Sequence, residues 1–292
     1  MRKICVIGGN RYFGRRLVLD LRDAGAEVTV VNRGSVPAPP GVRQVATDRA
    51  GLAGALGNES FDVVVDQVCY TPVQAAAAVA AFRGHIARYV LTSTIEVYDE
   101  HDADAPLPES AVDPLRQLTR PELPWATPGY LEAHYAEGKR QAEAVFATTA
   151  PFAFVAVRAG HVLGGADFTG RLRYYADAVR HRRPVPVRSR NHRSSFIHHA
   201  ELARFLRWAA EATFTGPVNA RSHGEFDVTE LCDRIGAQTG APPIFEVGEG
   251  ESPFAFARYY GMANDRAEAL GFSFSHTGDW LPAAIGEALE AA

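Results

Sequence analysis

Short runs of apolar, largely β-branched residues punctuate the first 160 positions. Ile4-Cys5-Val6-Ile7, Val28-Thr29-Val30-Val31, Val63-Val64-Val65, Tyr89-Val90-Leu91-Thr92 and Phe154-Val155-Ala156-Val157 show little polar alternation. That is the pattern of strands covered on both faces. Stretches of helical spacing lie between them, at residues 13–24, 72–83 and 130–149. Counting a short segment before Asp48 as the third strand, the series predicts an α/β fold with a Rossmann-type doubly wound parallel sheet.

Composition marks two loops within this series: residues 34–41, Gly-Ser-Val-Pro-Ala-Pro-Pro-Gly, and residues 99–129, rich in Pro and acidic side chains. After Gly164 the rhythm gives way to helical patterns at 200–212 and 228–238, broken by Pro and Gly, with a last helix from about Trp280. The expected organisation is a dinucleotide-binding domain over residues 1–164 and a smaller, mainly substrate-binding lobe over 165–292. Some segments of that lobe are expected to return to the first domain.

Composition narrows the function classes. With 47% hydrophobic and 22% charged residues the 292-residue chain has a globular balance. A formal charge of −4 gives no general attraction to nucleic acid or acidic membranes. Cys5, Cys69 and Cys232 are too scattered for a disulfide framework, no Cys/His spacing suggests zinc, and no metal is expected. The longest apolar stretch, residues 72–82, is too short to span a bilayer. Because the first strand pattern begins almost at Met1, a cytoplasmic, reducing address is expected.

The first strand runs into Gly8-Gly9-Asn10-Arg11-Tyr12-Phe13-Gly14 and then a helix. A glycine loop there holds a pyrophosphate against free N–H groups at a helix N-terminus. Gly8 suits the tight turn, Gly9 a close approach to the ligand, and Gly14 close packing of helix on strand; Arg11 stands where a middle glycine is common. The second strand ends Val31-Asn32-Arg33-Gly34, without the carboxylate that usually accepts from the adenosine ribose. Arg33, with Arg11, could pair a 2′-phosphate, so NADP(H) is favoured and NAD remains compatible. Asp48, followed by Arg49, either meets the adenine ring or caps the next turn.

Tyr135-Ala136-Glu137-Gly138-Lys139 sets a phenol and an ammonium four residues apart on one helix face. A lysine cation beside a phenol favours the phenolate and is expected to lower the tyrosine pKa. The tyrosine could then exchange a proton with an alcohol or carbonyl oxygen while hydride moves at carbon. The strand ending Leu91-Thr92-Ser93-Thr94 offers Thr94 or Ser93 to hold that oxygen and Thr92 to meet the cofactor. Ligands sit at strand C-termini in such sheets.

The glycine loop, Ser93-Thr94-x-x-Val97-Tyr98, Tyr135-x-x-x-Lys139 and Arg158-Ala159-Gly160-His161-Val162-Leu163-Gly164 occur in the order found in extended short-chain dehydrogenases. Ser195-Phe196-Ile197-His198-His199-Ala200-Glu201 is similar to that group's Phe-Ile-His segment. The chain resembles their nucleotide-sugar epimerases, dehydratases and reductases over roughly residues 3–290. The Arg11 and Asn32-Arg33-Gly34 departures resemble an atypical branch that includes RNA-binding plant relatives, the chloroplast stem-loop-binding proteins. The resemblance implies Tyr135 as general acid/base, Lys139 on the nicotinamide ribose, Thr94 on the substrate oxygen and His161 near the nicotinamide. It also implies a homodimer built on the helices of residues 72–83 and of Tyr135. Glu96 matches half of a dehydratase acid pair, with Ile95 where the second acid commonly stands.

Residues 171–193 hold eight arginines against one acid, Asp177. Their expected role is a cationic mouth for a substrate diphosphate, and Arg193 resembles the arginine often found just before Phe-Ile-His in the extended short-chain dehydrogenases, which implies a substrate contact. An RNA-binding face is the rival reading, in which phosphate contacts supply affinity. The intact Thr94, Tyr135 and Lys139 set favours an oxidoreductase or epimerase acting on a nucleotide sugar or similar small molecule.

Overall fold

The computed structural model describes residues 1–248 and 250–291. The chain forms β1 (Lys3–Ile7), α1 (Tyr12–Asp23), β2 (Glu27–Asn32), β3 (Arg43–Ala46), α2 (Leu52–Leu56), β4 (Phe61–Asp66) and α3 (Pro72–Phe82). These are followed by β5 (Ile86–Thr94), α4 (Pro128–Ala133), α5 (Tyr135–Thr149), β6 (Ala153–Ala159) and β7 (His161–Leu163). The remainder comprises α6 (Arg171–Arg180), β8 (Val185–Val187), β9 (Phe196–His198), α7 (His199–Glu211), β10 (Gly216–Ala220), α8 (Val228–Thr239), β11 (Phe245–Val247), α9 (Asp265–Ala269) and α10 (Thr277–Glu290).

Seven parallel strands make the central sheet, in the order β3-β2-β1-β4-β5-β6-β10. β1 pairs with β2 on one side and β4 on the other, so the chain direction across the sheet reverses beside β1. A crevice opens at such a switch point, beyond the strand C-termini. The two-residue period of β1 explains both covering layers. Ile4 and Val6 pack with residues of α1 and α7, including Leu17, Val18 and Phe205. Cys5 and Ile7 pack with residues of α3 and α5, including Ala75, Val79 and Phe146.

The segment after Gly164 divides. α7 covers the sheet against α1, and β10 extends it beside β6. A separate apolar cluster joins α6, α8 and α10 with Phe196, Phe226 and Phe254. No helix among the described residues is long and apolar enough to cross a membrane.

Two differences from the expectation bear on the sheet and the site. The helix expected over 130–149 is two helices, broken at His134 (φ −118°, ψ 29°), whose ring stacks on Tyr130 at 4.0 Å. The break makes Tyr135 the first residue of α5, next to the crevice. β10 carried no sequence expectation, because Gly216 and Pro217 open a strand of only five residues.

Candidate active site

One cleft of about 1000 Å³ runs from the glycine loop past the ends of β5 and β6 to the start of α6. Its wall includes Gly8, Gly9, Asn10, Arg11, Tyr12, Phe13, Asn32, Arg33, Asp48 and Arg49 at one end. Thr92, Ser93, Thr94, Glu96, Tyr135, Lys139 and His161 line the other. Gly14 stands behind the loop, where a side chain would collide with the Gln67 amide and with Gly9. Gly9 has φ +81°, and a Cβ there would fall 2.8 Å from Val6 Cγ1.

The absence of a middle glycine has a local cause. Arg11 is extended (φ −134°) and needs no glycine; Tyr12 takes the left-handed conformation instead, φ +51°. That conformation costs a non-glycine residue roughly 1–2 kcal/mol. The Tyr12 ring offsets part of this by stacking on His199, 5.9 Å between centroids.

Several buried polar atoms of the cleft wall have no hydrogen-bond partner among the described residues: Asn10 Oδ1, Asn32 Nδ2, Gln67 Nε2, Thr92 Oγ1 and His161 Nε2. Buried donors and acceptors are normally paired. Their place beside a glycine-floored groove at a helix N-terminus fits a dinucleotide. Arg11 and Arg33 are exposed and make no ion pair with the described residues, as a phosphate partner requires. Arg49 is different: its guanidinium grips buried Asp66, with Nη1–Oδ2 at 2.8 Å and Nη2–Oδ1 at 2.9 Å. Asp48 Oδ1 accepts from the Gly51 N–H at 2.9 Å, so it caps the turn while lining the cleft.

Lys139, almost wholly buried, donates from Nζ to the carbonyls of Cys69 and Thr92, each at 2.8 Å. Burial pulls its pKa down to about 8. Tyr135 shares this stretch of the cleft wall with Thr94. Its pKa is pushed up rather than down, first by burial and then by Tyr70 and Glu96. This reverses the expected effect of the lysine, whose Nζ lies 5.9 Å from the Tyr135 ring centroid. Glu96 Oε2 accepts from Tyr260 at 2.5 Å, and burial raises its pKa. His161 is held neutral, with its pKa lowered to about 3 by burial and Arg171, and its ring stacks on Phe256 at 4.9 Å.

Two residues expected to meet substrate are engaged elsewhere. Ser93 Oγ donates to buried Glu143 at 2.5 Å. Arg193 is outside the cleft wall and pairs with Glu230 on α8. The arginine excess disperses likewise: Arg173 pairs with Asp177, Arg180 donates to the Leu289 carbonyl and Arg188 to that of Ala255. Among the eight, Arg171 alone lines the cleft.

Tyr70 and Gln67, both in the cleft wall, belong to no sequence motif, and Arg171 stands out in the sequence only as one end of the arginine-rich run. Composition sets Lys139 apart. The chain has only two lysines, Lys3 and Lys139, against 28 arginines. Lys139 is thus one of two lysines in an arginine-rich chain, and it falls within Tyr-x-x-x-Lys.

No family model matches the chain, and no curated protein sequence matches it. Solved structures do. The UDP-glucose 4-epimerase of Thermotoga maritima, solved with UDP-glucose, superposes with a TM-score of 0.78 at 15% identity over 99% of both chains. MoeE5 in complex with UDP-glucose and NAD gives 0.73 at 21% identity over 99% of this chain and 97% of that one. The Bordetella bronchiseptica enzyme WbmH in complex with NAD+ gives 0.73 at 17% over 98% of each. The likeness is one of fold: a Rossmann-type parallel sheet shared with these three structures. Within that fold, the cleft described above occupies the switch-point crevice of the sheet.

Proposed function

We propose that the chain is a nicotinamide-dinucleotide enzyme of the short-chain dehydrogenase/reductase type, acting on an alcohol or carbonyl centre of a nucleotide sugar or similar metabolite. One observation carries this reading. Thr94, Tyr135 and Lys139 meet in the same cleft as the Gly8–Gly9 turn, although they come from a strand end and a separate helix.

The dinucleotide, once bound, supplies the hydride donor or acceptor. Tyr135, held protonated by its surroundings, is poised to give a proton to a carbonyl oxygen; in the other direction its phenolate takes one. Thr94 orients the substrate oxygen. Lys139 has three N–H groups as an ammonium but two as a neutral amine. Cys69 and Thr92 take two, so only the ammonium keeps one for a ribose hydroxyl.

For the cofactor we favour NADP(H), supported by Arg11 and Arg33, which make no ion pair with the described residues, and by the missing carboxylate at the end of β2; MoeE5 and WbmH were solved with NAD. A dehydratase role for Glu96 is less favoured, because Tyr260 already engages its carboxyl. RNA binding through residues 171–193 is disfavoured by the ion pairs and carbonyl contacts that several of those arginines make. We also propose a homodimer on α3 and α5, where Ala76, Val79, Ala80 and Val145 line an apolar groove. Mass spectrometry of natively purified protein tests the reading: a bound dinucleotide is expected, and co-purifying RNA without one would contradict it.

A further inference from the structure

We infer that Tyr70 is a positioning residue of the active site: its ring holds the Lys139 ammonium against the Cys69 and Thr92 carbonyls. The ring centroid lies 4.8 Å from Lys139 Nζ, closer than that of Tyr135, and the two aromatic rings are 6.1 Å apart. An ammonium over a ring face at this distance is attracted by the ring quadrupole, and more strongly where water is excluded.

The loop from β4 to α3 is pressed onto α5 at this point. A Cβ on Gly138, the residue before Lys139, would collide with the Tyr70 carbonyl, so the close approach requires glycine there. The loop is fixed in turn: the Tyr70 N–H donates to Gln74 Oε1 at 2.7 Å, and Thr71 caps α3. Cys69, Tyr70 and Gly138 thus form one contact that sets how far Lys139 reaches into the cleft.

The charge state of Lys139 depends on all its neighbours. Burial favours the neutral amine, and Arg49 does too; Asp66 at the end of β4 and Glu143 on α5 favour the ammonium. The Tyr70 ring adds to this second group without carrying a charge. Replacing it by an aliphatic side chain of similar bulk keeps the site dry and removes the quadrupole, so the amine loses its proton at lower pH.

Because Lys3, at an exposed position, is the only other lysine, protein labelled with 13C-lysine gives two side-chain signals. Their pH titration by NMR reads Lys139 directly, with or without cofactor. The expected midpoint is near 8 for wild type, unchanged in Tyr70→Phe, and lower by about one pH unit in Tyr70→Leu. The wild-type Lys139 ε-protons should also be shifted upfield by the ring current, a reading that needs no variant. Equal midpoints in wild type and Tyr70→Leu, an equal fall in Tyr70→Phe, or no ring-current shift would each overturn the inference. Its bearing on cofactor rests on the function proposed above. NADPH affinity should fall as pH rises through the same midpoint. Affinity indifferent to that midpoint would overturn the ribose role of Lys139 and leave the hold of Tyr70 standing.

Discussion

Glu143 and Arg158 meet between α5 and β6 with both side chains sealed from solvent, Arg158 Nη2 lying 2.7 Å from Glu143 Oε2. Glu143 also accepts from Ser93, and Arg158 donates to Tyr98 and to the carbonyls of Glu109 and Val112. One carboxylate therefore ties the helix of Tyr135 and Lys139 to the strand end that carries Thr94. Removing one member leaves a buried charge without a partner, at a cost of about 3–5 kcal/mol. Glu143→Ala should lose about that much stability in urea unfolding. A loss under about 1 kcal/mol, the scale of an exposed pair, would contradict the account.

His161 gives a pH dependence of known sign. Burial first, then Arg171, holds its pKa at about 3 in the folded chain, against about 6.5 unfolded. Below the unfolded value the unfolded chain binds a proton that the native chain refuses, so stability falls as pH drops from about 6.5 toward about 3. His161→Phe keeps an aromatic ring against Phe256 and removes the titration. Its stability should fall less steeply with acidification, by up to about 1.4 kcal/mol per pH unit. Identical slopes for the two proteins would contradict a buried neutral His161.

Cofactor choice turns on the end of β2. Arg33→Ala should weaken NADP(H) binding roughly tenfold or more, the scale of a lost charge-assisted hydrogen bond, and leave NAD(H) nearly unchanged. Calorimetric titration of both dinucleotides checks this. Equal losses would remove the phosphate role given to Arg33.

Much of the site was legible because it is local. β-branched runs placed the strands, and the Gly8–Gly14 loop and Tyr135-x-x-x-Lys139 lie within single short segments. What escaped depends on distant contacts. Nothing around position 193 announces Glu230, and Ser93 is 50 residues from Glu143. The Tyr135 pKa went the opposite way for the same reason: spacing exposes the lysine four residues on, but not Tyr70 and Glu96 brought in by other elements. Tyr70 belongs to no local motif, and only the fold lays its ring over Lys139.

Tyr135→Phe retains the ring and removes the proton carrier. On an established substrate, turnover should fall by about 100-fold or more, the usual scale of general acid–base catalysis, with cofactor affinity nearly intact. Thr94→Val, losing one hydrogen bond to the substrate oxygen, should cost less. In the reduction direction the raised Tyr135 pKa should keep the phenol active into alkaline solution. Wild-type turnover in Tyr135→Phe would dismiss it as the acid/base.

The central claim is that the cleft beside Gly8 and Gly9 holds a nicotinamide dinucleotide, and fluorescence titration of the purified protein with NADPH and NADH tests it most directly. The account predicts saturable one-to-one binding, abolished by Gly9→Val, whose side chain would collide with Val6 and Val18 where the loop turns. Absence of saturable binding of either dinucleotide to the folded protein, or binding that Gly9→Val leaves untouched, would contradict it.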